Sequence, residues 1–169
     1  MKKSEVTDSY LIPEVSAELM MDIAKILAHS PFPMDKQNII MSFPKNKYTP
    51  TYITRAITAC KQLGMISSIN GKYQCADEFR DDLKKCHKSE LYLIFRKALQ
   101  NFAPFLLFID FLAKGYSTAE SASRVKGIFN INTKHEKIEK ILKSWGIYAK
   151  IINEKDGKIV IEVDTKKLE

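Results

Sequence analysis

The stretch TPTYITRAITACKQLGMISSINGKYQ, residues 49–74, decides the fold. Thr49 is a residue type that accepts from the free N–H groups at a helix start, and Pro50 at the first helical position has its φ already set for a helix. Ile53, Ala56, Ile57, Cys60 and Leu63 then recur at three- and four-residue spacing and share one inward face. Gly64 follows as the left-handed residue that closes a helix. The short runs MISSI and KYQCA flank Asn70-Gly71, a pair favoured in two-residue hairpin turns because both turn positions need positive φ. A helix followed by a small β-hairpin is therefore expected.

Upstream, Leu19, Met20, Ile23, Ala24 and Leu27 predict a helix from about Ser16 to Ala28, ended by the two prolines of SPFP. Asp35 is placed to cap a short helix over KQNIIMSF, which stops at Pro44, and PKNKY is a basic loop. The order is helix, helix, helix, hairpin.

Downstream the same order returns. After the charged run DEFRDDLKKCHKSE, LYLIFRKALQNF reads as a linking helix. APFLLFIDFLAKG reads as a buried helix ending at Gly115, with a dimer seam as the other use of so apolar a segment. Ser117 or Thr118 is expected to cap a helix over AESASRVKGIF. Thr133 and Glu136 have capping-box spacing for a helix over KHEKIEKILKSWG, expected to end at Gly146. A hairpin then turns at Asp156-Gly157. Laid over each other, the halves place Phe108 on Ile23 at an offset of 85 residues, WGIY on LGMI at 82, and Asp156-Gly157 on Asn70-Gly71 at 86. This alignment makes the second hairpin four residues longer.

On these stretches, both halves resemble winged-helix domains, a superfamily of helix-turn-helix folds. The resemblance implies a mainly α protein with small β-hairpin wings (α+β), built as two tandem winged-helix domains joined by a helical linker. The expected divisions are an N-terminal arm (1–15), a first domain (16–77), a charged linker (78–102) and a second domain (103–165). Winged helices in general bind duplex DNA through their third helix. Tandem ones also serve as protein-interaction subunits, as in chromosome-organising complexes and in defence systems, so fold alone does not set function.

Charge separates the halves. Between positions 36 and 76 there is no Asp or Glu, while Lys36, Lys45, Lys47, Arg55, Lys61 and Lys72 fall inside that window, in a chain of net charge +7. Such a window suits an anionic partner, of which nucleic acid is the commonest. On the helix that starts at Pro50, Thr51, Tyr52, Thr54, Arg55, Thr58, Lys61 and Gln62 are expected to face outward. Arg55 is the candidate base reader, because a guanidinium pairs bidentately with guanine O6 and N7. Thr51, Tyr52 and Thr58 are candidates for base edges or phosphates, and Lys61 lies on the same face. Lys45, Lys47 and Lys72 are candidates for backbone phosphates. The matching helix of the second half mixes Lys134, His135, Lys137, Lys140 and Lys143 with Glu136 and Glu139. Pairs such as Glu136–Lys140 and Glu139–Lys143 would mark a solvated face. The expected function is duplex DNA binding by the first unit, as a transcriptional regulator or a DNA-binding subunit. The second unit would supply homodimerisation or a protein partner surface. The alternative is an interaction subunit of a larger complex.

Other classes lose support. No apolar run reaches the length of a membrane span, and the N-terminus lacks the apolar core of a signal peptide. Cys60, Cys75 and Cys86 are odd in number and lack CxxC spacing, which fits a cytoplasmic protein without a disulfide framework. His29, His87 and His135 are scattered, and no phosphate-loop, dinucleotide, nucleophile-elbow or metalloprotease motif occurs. No cofactor, metal or catalytic role is expected.

Overall fold

The hydroxyl of Ser16 accepts from the Leu19 N–H at 3.2 Å and starts α1 (Ala17–His29), which buries Leu19, Met20, Ile23, Ala24 and Leu27. The structure, a computed structural model, describes residues 11–168; positions 1–10, which hold most of the expected arm, and 169 lie outside the described residues. Past the prolines, the chain makes a two-residue strand that sequence periodicity does not reveal, β1 (Met34–Asp35). The Asp35 carboxylate accepts from the Asn38 N–H at 2.7 Å and opens α2 (Lys36–Met41). Thr49 accepts from the Tyr52 N–H at 3.2 Å at the head of α3 (Pro50–Gln62), and Gly64 follows with φ 73°. β2 (Ile66–Ile69) and β3 (Lys72–Cys75) form the hairpin, with φ 51° at Asn70 and 74° at Gly71. β1 joins it antiparallel, Met34 opposite Tyr73 and Asp35 opposite Lys72, giving the sheet order β1-β3-β2.

The charged run is itself helical. α4 (Asp77–Lys85) buries Phe79 and Leu83, four residues apart, and packs on α1. A single 3₁₀ turn (Lys88–Glu90) leads into α5 (Leu91–Leu99). α6 (Ala103–Ala113) buries Pro104, Phe105, Phe108 and Ile109, while Leu106, Leu107, Phe111 and Leu112 are half-buried against the same core. Gly115 after it has φ 95°. Ser117 accepts from the Glu120 N–H at 3.1 Å and caps α7 (Thr118–Ile128). α8 (His135–Tyr148) leads to a two-stranded sheet of β4 (Ile152–Lys155) and β5 (Lys158–Ile161). The class is mainly α with small antiparallel sheets.

Two expectations fail around α8. No side chain caps it: Lys134 holds the cap position, and the Thr133–Glu136 box does not form. Gly146 does not end it either; the helix runs to Tyr148 and the left-handed residue is Lys150, φ 54°. Gly146 is required for close approach, because a Cβ there would lie 2.8 Å from Ile152 Cγ1 and 3.5 Å from Phe105 Cε2.

Moving the helix end moves the alignment. Met65 N–H donates to Cys60 O, and Ile151 N–H to Gly146 O. Gly64 donates to Lys61 and Lys150 to Ile147; Ala76 donates to Met65 and Glu162 to Ile151. Strand registers agree, Ile66 opposite Cys75 and Ile152 opposite Ile161. Every one of these pairs is offset by 86 residues, as are the first residues of α1 and α6. The hairpins are therefore equal in length, and the earlier match of WGIY to LGMI gives way to Ala149–Ile152 on Leu63–Ile66. The difference lies between the first and third helices, where β1 has no counterpart and α7 is longer than α2.

One contiguous cluster of buried side chains runs through both halves. Trp145, fully buried, packs edge-on against Phe95 and Phe102, and its Nε1–H donates to Val15 O at 3.0 Å. Arg96 on α5 donates to Ala149 O at 3.0 Å and Lys150 O at 3.2 Å, satisfying carbonyls at the end of α8. Gly146→Ala is expected to destabilise the chain by roughly 1–3 kcal/mol through overpacking. Gly127→Ala, in α7 with nothing within 4 Å of the added methyl, should stabilise by up to about 1 kcal/mol. Urea denaturation of the two variants checks both signs.

Candidate nucleic-acid interface

α3 is held by its apolar side, Ile53, Ala56, Ile57, Ala59 and Cys60, which leaves Thr51, Arg55, Thr58 and Lys61 exposed at three- and four-residue spacing on one face. Arg55 makes no hydrogen bond or ion pair among the described residues, so its guanidinium donors are open. The threonine hydroxyls are less free than the sequence suggests. Thr54 donates to Pro50 O at 2.9 Å and Thr58 to Thr54 O at 3.2 Å, so Thr58 offers lone pairs but has spent its proton inside the helix.

Tyr52 departs from expectation. It is half-buried, its ring lies 5.9 Å from that of Tyr48, and its hydroxyl accepts from the Ser16 N–H at 2.9 Å. It ties α3 to the start of α1 and is not part of the outward face.

Lys45 and Lys47 lie on the loop between α2 and α3. Lys47 N–H donates to Pro44 O at 3.1 Å, closing a tight turn in which Asn46 takes φ 67°. Both lysines are exposed, and the Lys47 amine lies 5.4 Å from the Tyr48 ring centroid. Burial, and next the Asp22 carboxylate, pushes the Tyr48 phenol above its ordinary range, so it is neutral at pH 7. Lys72 is exposed at the turn end of β3, directly opposite Asp35. That pairing brings Lys36, the residue after Asp35, beside Lys72. Lys36 was not among the expected contacts, although the acid-free window already contained it. The one acid at this end, Asp35, spends its carboxylate on the α2 cap.

All six cations of the window, Lys36, Lys45, Lys47, Arg55, Lys61 and Lys72, are exposed, and none makes an ion pair among the described residues. The second half differs. At the offset of 86, Arg55 corresponds to Ile141, which is buried, and Thr51 to Lys137, which pairs with Glu14 at 3.3 Å. Of the α8 residues that match the open face of α3, Ile141 is buried, while Lys137, Ser144 and Ile147 stay exposed. The expected Glu136–Lys140 and Glu139–Lys143 pairs do not form. Glu139 accepts from Thr118 at 2.6 Å, Glu136 lies 3.3 Å from His135, and Lys143 pairs with Glu154 at 3.1 Å.

Among the described residues no His, Cys, Asp and Glu side chains cluster to hold a metal, and no helix is long and apolar enough to cross a membrane. Burial pushes the Cys60 thiol far up and the Cys75 thiol to about 11, so both are protonated at pH 7, and Cys60 Sγ donates to Met20 O at 3.2 Å.

Tyr52→Phe should cost about 1 kcal/mol in urea denaturation, because the Ser16 N–H loses its acceptor. Arg55→Ala, with no partner to lose, should change stability by no more than about 0.5 kcal/mol. Compared with known family models, curated proteins and solved structures, the chain matches none of them.

Proposed function

We propose that each half is a winged helix-turn-helix unit and that the first binds duplex DNA. The observation that carries this reading is the set of six exposed, unpaired cations in a window without a carboxylate. The helix–strand–helix–helix–hairpin order of residues 17–75 and the recurrence of its turn bonds 86 residues later support the tandem arrangement. α3 is the recognition helix. Its first turns carry Thr51 and Arg55, and the N-terminal part of such a helix is what enters a major groove. Arg55 donates to a guanine edge; Lys45, Lys47, Lys61 and Lys72 meet phosphates, with Lys36 beside Lys72 as a further phosphate contact.

The second unit acts as a support. Its helix α8 carries the buried Ile141 where α3 carries Arg55, and several of the unit's cations are occupied at home: Lys137 by Glu14, Lys143 by Glu154 and Lys155 by Glu162. The role that fits is a regulator or DNA-binding subunit reading duplex asymmetrically through one helix per chain.

Fluorescence anisotropy with a random-sequence duplex is the test. With about four to six phosphate contacts, log affinity should fall against log salt with a slope of roughly −4 to −5. Arg55→Ala should weaken binding roughly tenfold on a selected site while leaving the slope nearly unchanged. Absence of binding at low salt overturns the reading.

A further inference from the structure

An open groove of about 730 Å³ lies between the end of α2 and the start of α3. Met41, Phe43, Pro44, Tyr48 and Pro50 line it, and Lys45 and Lys47 stand on its rim. Its volume falls in the range of ligand-sized sites, about 300–1,000 Å³. Met41 is 70 % exposed at the end of α2, so its side chain is available to a ligand in the groove. Phe43 and Tyr48 meet edge to face at 5.6 Å and form a fixed wall.

The second half shows that this opening is not a necessary product of the chain path. The corresponding place lies between the end of α7 and the start of α8. There the Lys126 amine donates to Ile131 O at 2.7 Å and Thr133 O at 2.8 Å, and Ile131 is buried. The connection is also shorter, from Phe129 to Lys134 rather than from Ser42 to Thr49. One half closes the place on itself and satisfies its lysine. The other leaves it open, apolar-floored and edged by two lysines without carboxylate partners among the described residues.

We infer that this groove docks a partner protein through an acidic segment carrying one large apolar side chain. The apolar residue seats against Met41, Phe43 and Pro44, and flanking carboxylates meet Lys45 and Lys47. Charge complementarity favours an acidic partner on the side of Lys45 and Lys47, where the window holds no acid, while Asp22 stands behind the Tyr48 wall. The apolar lining of Met41, Phe43 and Pro44 asks only shape of an apolar side chain, to which Met adapts. The proposal does not rest on DNA binding by α3. Because Lys45 and Lys47 would serve both ligands, an occupied groove competes with duplex.

Selection of a random displayed peptide library on the full chain tests this, followed by anisotropy of a synthetic selected peptide. The expected enrichment is for Asp or Glu beside a single Leu, Met, Phe or Trp. Met41→Gln, neutral and on an exposed side chain, should weaken the peptide about tenfold and leave duplex binding unchanged, whereas Arg55→Ala should do the reverse. Lys45→Glu with Lys47→Glu should weaken both. No acidic–apolar class among the selected peptides, or peptide affinity insensitive to Met41→Gln, overturns the proposal. Oligothymidine binding that is lost on Met41→Gln would instead make the groove a nucleobase site and overturn it equally. Loss of duplex binding alone bears only on α3.

Discussion

The buried indole of Trp145 is the constraint on which the two halves depend. Its ring fills space between Phe95 and Phe102, and its N–H has one acceptor, the carbonyl of Val15, more than a hundred residues earlier in the chain. A buried Trp whose N–H were left unpaired would carry a desolvation cost, so the bond fixes residues 12–16 against α8. That placement has two effects. It covers the face of α8 around Ile141, and it brings the Ser16 N–H to the Tyr52 hydroxyl, which seats α3. The same short segment thus lies against one helix and positions the other.

Electrostatics then distinguishes what geometry made alike. Around α8, Lys126, Lys137 and Lys143 find carboxylates or carbonyls, though Lys134 and Lys140 do not; around α3 no cation finds one among the described residues. Exposed ion pairs add little stability, so the second half gains little from its pairs. Their consequence is on the potential outside the protein, which they neutralise locally. The first half leaves its potential open to solvent, and a phosphate backbone or an acidic segment is what such a field attracts.

Local chemistry made the first half legible. Thr49-Pro50, Asp35 and Asn70-Gly71 each act on backbone groups within a few residues, so their roles can be read without the fold. What was not legible depends on distant contacts. Gly146 looks like a helix stop, yet its reason is Ile152 pressed against it, and Lys150 takes the left-handed position with no sequence signal. β1 is two residues long and exists only because Tyr73 and Lys72 pair with it. Tyr52 has the spacing of an outward residue, and only the Ser16 N–H explains its inward hydroxyl. The charged α4 hid a readable clue, Phe79 and Leu83 four apart. For the proposed interface, the acid-free window marked cations that the fold leaves exposed, but it could not show that Thr58 had already spent its proton.

The folded-back amine of Lys126 has a chemical corollary. An acyl-transfer reagent, or an acetylating enzyme, must free a lysine nitrogen before it can attack, and Lys126 would have to release two carbonyls first. Lys45 and Lys47, held by neither, are open to acylation. Covalent neutralisation of lysines would therefore reach the rim of the open groove and spare its closed counterpart, reducing the charge difference between the halves while leaving the core that joins them intact.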